Sequence, residues 1–184
     1  AFYNGDCIEV TAQMPPASID LAVYSPPFSD LFIYSDSERD MGNCADDEQF
    51  ADHYGHLLRE MFRIIRPGRM AAVHVSDLPA RKSREGFIGL RDFSGDVIRA
   101  HQRAGFHYHS RITIWKDPVM EMVRTKAHGL LYKNIQIDST RNRVGMPDYI
   151  LIFRRPATTK AEEELCRPVP HTPEDFPLPL WQQV

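Results

Sequence analysis

Two hydrophobic rhythms alternate along this chain, short apolar runs of strand type and longer segments with helical spacing. Ile19-Asp20-Leu21-Ala22-Val23-Tyr24 is a mainly apolar run set between Pro15-Pro16 and Pro26-Pro27, which predicts a buried strand. A polar loop rich in Ser, Asp and Gly follows over residues 25–46. From Asp47 to Arg66 the apolar positions Phe50, Tyr54, Leu57, Leu58, Met61, Ile64 and Ile65 recur at helical spacing, and Pro67-Gly68 is the expected stop. Met70 to Val75 predicts a second buried strand, residues 77–92 a basic loop, and residues 94–104 a helix closed by Gly105. Phe106 to Trp115 predicts a third strand and Asp148 to Phe153 a final one, flanking a long, basic, weakly patterned stretch over 117–146. Beyond Pro156 the chain turns acidic and then proline-rich, a composition that predicts an extended tail or linker.

Strands and helices alternating in this way predict an α/β sheet with helices on its faces. Ligands of such sheets gather at the carboxyl ends of strands, and the loop opening at Ser25 occupies one of those ends. The 184 residues suit one globular domain over 1–155, with 156–184 as the tail. No stretch approaches the roughly 20 apolar residues that span a bilayer. The N-terminal residues have no signal-peptide character, and the absence of an initiator Met predicts a start inside a longer reading frame. Cys7, Cys44 and Cys166 lack Cys-x-x-Cys spacing, which points to a reducing cytosolic setting and away from a zinc site or disulfide framework.

The net charge of −3 conceals a strong asymmetry. Residues 1–58 carry 1 basic and 11 acidic side chains, residues 59–155 carry 19 and 9, and residues 156–184 carry 2 and 5. A basic middle between acidic ends suits a phosphate-bearing partner, and it equally suits a solvated face.

The chemistry concentrates at Ser25-Pro26-Pro27-Phe28, directly after the first strand. Proline pairs punctuate loops everywhere, so the tetrapeptide gains meaning from its surroundings. Gly5-Asp6-Cys7 stands about twenty residues upstream, where a strand end and a short helical segment are expected. Downstream, an amphipathic helix ends in Arg66-Pro67-Gly68-Arg69 and runs into a hydrophobic strand. Over roughly residues 4–155 this series resembles the DNA amino-methyltransferases, which act on N4 of cytosine or N6 of adenine. Their catalytic motif is Asp, Asn or Ser followed by Pro-Pro and an aromatic.

The resemblance implies a Rossmann-like S-adenosylmethionine-dependent methyltransferase sheet with helices on both faces, incomplete in this chain. It also implies double-stranded DNA as partner, S-adenosylmethionine as cofactor and a bacterial or phage cytoplasm as setting. An exocyclic amino group is a poor nucleophile because its lone pair is delocalised into the ring. The Ser25 hydroxyl and the Pro26 carbonyl are the acceptors expected to draw its protons aside, and Pro26 and Pro27 hold the loop rigid without competing N–H donors. The target base must leave the duplex stack, which makes Phe28 its expected platform, or else a core aromatic capping the strand end.

Asp6 matches the acidic residue that approaches the cofactor's adenine ring, and it also suits an N-cap for the helix beginning at Cys7. Asp77 closes the second strand and is expected either to line the cofactor pocket or to cap the following loop. Residues 36–43 are expected to close over the substrate or to form a mobile acidic loop. Arg124, Lys126, Lys133, Arg141 and Arg143 occupy the region where this family reads DNA. The eight histidines show no metal-binding spacing, and no metal is expected.

A complete enzyme of this kind also needs a Phe-x-Gly-x-Gly loop for the methionine end of the cofactor, and this chain contains no Gly-x-Gly. A missing C-terminal segment or a second polypeptide is expected to supply it, leaving these residues alone inactive and weak in cofactor binding. Ser at the first motif position leans toward cytosine N4. A catalytically silent DNA-binding module of the same fold, and an RNA or protein amide N-methyltransferase, are the alternatives.

Overall fold

The computed structural model describes residues 3–28, 33–80, 86–87, 89–117, 119–120 and 147–166. Its elements run α1 (Cys7–Ala12), β1 (Ile19–Tyr24), α2 (Asp47–Ile64), β2 (Ile65–Ser76), β3 (Leu78–Ala80), β4 (Gly89–Arg91), α3 (Phe93–Arg103), β5 (His107–Ile114), β6 (Asp148–Arg154) and α4 (Lys160–Leu165), with a 3₁₀ turn at Met41–Asn43. Four strands form one sheet in the order β1-β2-β6-β5. β1 and β2 are parallel, while β6 lies antiparallel between β2 and β5. No described helix is long and apolar enough to cross a membrane.

Helix α2 forms where the apolar spacing predicts it. Phe50, Tyr54, Leu57, Leu58, Met61 and Ile64 are buried on one face. Asp46 caps its start by accepting from the Gln49 N–H at 2.8 Å, and Asp47 and Glu48 place negative charge at the positive end of the helix dipole. Asp46→Ala is expected to destabilise the fold by about 1 kcal/mol, read from urea unfolding midpoints. At the other end, Arg63 reaches back to the Met14 and Thr11 carbonyls at 2.8 Å each and ties α1 to α2.

Four segments differ from the sequence expectation. The first is β1, expected to be buried, of which only Ala22 is buried while Leu21 and Val23 stand exposed at the sheet edge. Pro67-Gly68 does not separate helix from strand, because β2 begins at once at Ile65. Ile19 pairs with Ile65 but Leu21 pairs with Met70, so Arg66 to Arg69 form a bulge, which accommodates a proline without an N–H and a glycine at φ +79°. Arg66 and Arg69 both pair with Asp20 across it. Within 77–92, expected as a loop, β3 and β4 pair as an antiparallel ribbon. Residues 160–165, expected to be extended, form α4, anchored by Thr159 as N-cap and by Arg155–Glu162 at 2.7 Å.

The sheet has unequal faces. Ala71, Val73 and Val75 of β2 and Leu151 and Phe153 of β6 are buried with the apolar face of α2, and with Phe93 and Val97 of α3. α1 packs beside α2. The opposite face carries Leu21, Val23, Ile112 and Ile114, which are exposed, and the half-buried Met70, Ala72, Ile150 and Ile152. The sequence predicts helices on both faces; among the described residues those against the sheet cover one, and the sheet is partial.

Candidate active site

Successive strand residues point to opposite faces, so the bare face can be followed upward row by row. Along β1 it reads Leu21, Val23 and then Ser25, and along β2 Met70, Ala72 and His74. β6 enters this face with Asp148 before Ile150 and Ile152, and β5 leaves it through Ile112 and Ile114 toward Lys116. Each row is apolar along the sheet and turns polar at the carboxyl ends of β1, β2 and β5. Four strands thereby bring Ser25, His74, Asp148 and Lys116 to one level.

These side chains are bonded to one another. The Ser25 hydroxyl donates to the His74 carbonyl at 3.0 Å and lies 3.4 Å from His74 Nδ1. His74 Nε2 sits 3.1 Å from Asp148 Oδ2, and Lys116 Nζ donates to Asp148 Oδ1 at 2.6 Å. Burial raises the Asp148 carboxyl, but hydrogen bonds from Lys116 and His74 and the Lys116 charge outweigh it and hold it below the usual carboxylate range. An ionised Asp148 accepts, so Nε2 is the nitrogen that donates to it, and Nδ1 is the one that faces Ser25.

Ser25 is exposed, Pro26 buried, and Pro27 and Phe28 half-buried. The Phe28 ring lies 5.9 Å from His74 and 5.8 Å from Phe93, so it leans on the core edge while keeping part of its surface open. The preceding residue anchors the loop from below. Tyr24 donates its hydroxyl to His101 Nε2 at 2.9 Å, and His101 Nδ1 donates to the Val97 carbonyl at 2.8 Å. His101 is fully buried and stacks on Phe153 at 3.7 Å. Burial pushes its imidazole down to about 4 and raises the Tyr24 phenol, so both are neutral at physiological pH.

The remaining candidates separate from this cluster. Asp6 caps α1, its Oδ1 accepting from the Ile8 and Glu9 N–H groups at 2.8 and 3.2 Å. No hydrogen bond or ion pair joins it to the Ser25 loop among the described residues. Asp77 Oδ1 accepts from the Ser94 N–H at 3.0 Å and ties the end of β2 to the start of α3, which is the capping arrangement. In residues 36–43, Asp40 gathers the Tyr34 and Ser35 N–H groups at 2.9 and 2.6 Å and caps the 3₁₀ turn. Arg124, Lys126, Lys133, Arg141 and Arg143 lie outside the described residues. No group of three or more potential metal ligands occurs among the described residues.

Sequence reasoning missed His74, Asp148 and Lys116. Their signal was present as polar residues continuing apolar strand rows, but it becomes visible only once the register is known.

No protein-family profile matches the chain, and no curated protein does. Solved structures do. TTHA0409 of Thermus thermophilus, a provisionally assigned DNA modification methylase, is 26 % identical over 94 % of this chain, with a TM-score of 0.55. Its complex with S-adenosyl-L-methionine matches with the same figures. The cytosine-N4-specific PvuII DNA methyltransferase is 16 % identical over 83 % of this chain and 48 % of its own, with a TM-score of 0.53, a likeness of fold alone. This chain spans 60 % of the length of TTHA0409. The chain therefore has the Rossmann-like fold of the S-adenosylmethionine-dependent methyltransferases, and TTHA0409 is in keeping with the resemblance to DNA methyltransferases that its sequence carries.

Proposed function

We propose that this chain is the catalytic part of a DNA methyltransferase that methylates the exocyclic amino group of a flipped cytosine, at N4, or adenine, at N6. The observation that carries this reading is the exposed Ser25 hydroxyl at the carboxyl end of β1, with its hydrogen drawn inward to the His74 carbonyl. An oxygen held this way presents lone pairs outward and accepts an N–H from a target amino group. Phe28 offers a ring face for the flipped base. Phe28→Ala is expected to weaken binding of DNA with an unpaired target base by about 1–3 kcal/mol, measured by titration.

S-adenosylmethionine supplies an electrophilic methyl group. The described residues meet its adenosyl end in one respect, since Asp6 keeps Oδ2 for the adenine amino group, and the chain has no Gly-x-Gly loop for the methionine end. The isolated 184 residues are accordingly expected to bind this cofactor weakly or not at all. A micromolar dissociation constant by calorimetry contradicts that. The complementary part, from a longer chain or a second polypeptide, and the basic residues Arg124, Lys126, Lys133, Arg141 and Arg143 against DNA phosphates complete the proposed enzyme. Offering the full-length protein DNA, RNA and protein together with a methyl-labelled donor tests the acceptor class. Label in DNA supports the reading, and label confined to RNA or protein rejects it.

A further inference from the structure

We propose that His74 is a proton-relay residue that acts through Ser25, with Asp148 and Lys116 fixing its imidazole; this rests on the methyltransferase reading above. As the target nitrogen bonds to the methyl carbon, that carbon's bond to the donor sulfur breaks and the sulfonium leaves as a neutral thioether. The nitrogen then bears a positive charge until it sheds a proton. Ser25 takes that proton only by giving up its own, and His74 Nδ1, 3.4 Å from Ser25 Oγ, is the acceptor within reach. A short rotation of the hydroxyl moves its hydrogen from the His74 carbonyl at 3.0 Å to Nδ1. The imidazolium so formed faces the carboxylate of Asp148, which already holds Nε2 at 3.1 Å. Lys116 keeps Asp148 ionised from the other oxygen, so the proton stops on the ring. Among the described residues, the polar groups that face His74 are Ser25 just after β1 and Asp148 of β6, with Lys116 beyond β5 behind Asp148; Phe28 leans against one side of the ring. His74 is 40 % exposed, open enough to return the proton to solvent.

The ring's tautomer is the sharpest consequence. Asp148→Asn can donate to Nε2, which moves the imidazole proton to Nδ1 and aims a donor at Ser25. In the full-length protein this variant is expected to transfer methyl groups about 100-fold more slowly in a single turnover, with cofactor and DNA affinities unchanged. Imidazole ¹⁵N shifts should report the Nε2–H tautomer for His74 in the wild type and Nδ1–H in the variant. If Asp148→Asn does not fold, His74→Phe keeps an aromatic ring beside Phe28 and should show the same loss of rate with cofactor and DNA affinities kept. Wild-type rates in these variants, or a wild-type His74 protonated on Nδ1, overturn the relay. A wild-type protein that labels no DNA overturns the methyltransferase reading instead, and the tautomer, read without turnover, separates the two failures.

Discussion

Replacing Ser25 by Ala in the full-length protein is expected to lower the rate of methyl transfer by about 100- to 1000-fold, or roughly 3–4 kcal/mol in the transition state, while cofactor and DNA binding persist. The size follows from the role proposed for the hydroxyl. It is an acceptor fixed before the substrate arrives, because Tyr24 is pinned to His101 below it and the His74 carbonyl claims its hydrogen. As positive charge develops on the target nitrogen, a preorganised acceptor gains strength without having to reorganise. Ser25→Asp restores an acceptor at the same point and should recover part of the rate. Single-turnover kinetics beside equilibrium titrations make the check. A Ser25→Ala rate within about threefold of wild type, less than one hydrogen bond is worth, contradicts the assignment.

The second large effect concerns pH and the buried support beneath the loop. His101 has a folded-state pKa of about 4, below its ordinary value of 6.5, because burial penalises its charged form. Above pH 6.5 both folded and unfolded chains hold it neutral, and it adds no pH dependence. As pH falls from about 6.5 to about 4 the unfolded chain binds a proton that the folded chain refuses, so stability is lost progressively across that window. The loss approaches about 3 kcal/mol at its acid end. His101→Phe preserves the ring against Phe153 and removes the titration. It should flatten the slope of unfolding free energy between pH 5 and 6.5, at a pH-independent cost of about 1–3 kcal/mol for the orphaned Tyr24 hydroxyl. An unchanged slope in the variant assigns the pH dependence elsewhere.

The contrast between these two sites shows what the sequence reveals and what it conceals. Local periodicity made the helix from Asp47 legible, since it buries one side through a pattern contained in its own residues, whereas Ile19–Tyr24 forms the expected strand but buries only Ala22 of the apolar run. The Ser25 loop was legible because its residue types are contiguous. The bulge at Arg66–Arg69 was not, because Pro67-Gly68 is equally a helix stop, and only the pairing with β1 decides between them. His74 and Asp148 are separated by 74 positions and meet through an antiparallel register that neither segment encodes alone. Asp6 and Asp77 were picked out by position along the chain, and both use a carboxylate oxygen on helix-start N–H groups. The capping role that accompanied each functional expectation is the one the structure displays.

The bare sheet face bears on the same question. Leu21, Val23, Ile112 and Ile114 expose apolar surface directly beneath the polar row of the candidate site. Such surface favours association in water.

The central claim, that this fold methylates a base amino group through Ser25, is tested most directly by the identity of the product. The full-length protein and its Ser25→Ala variant are incubated with mixed-sequence duplex DNA and methyl-labelled S-adenosylmethionine, and the digested nucleosides are resolved by mass spectrometry. Label on N4-methylcytosine or N6-methyladenine, present with the wild type and nearly absent with the variant, is the expected result. Label on neither nucleoside, from a wild-type protein shown to bind the cofactor, contradicts it.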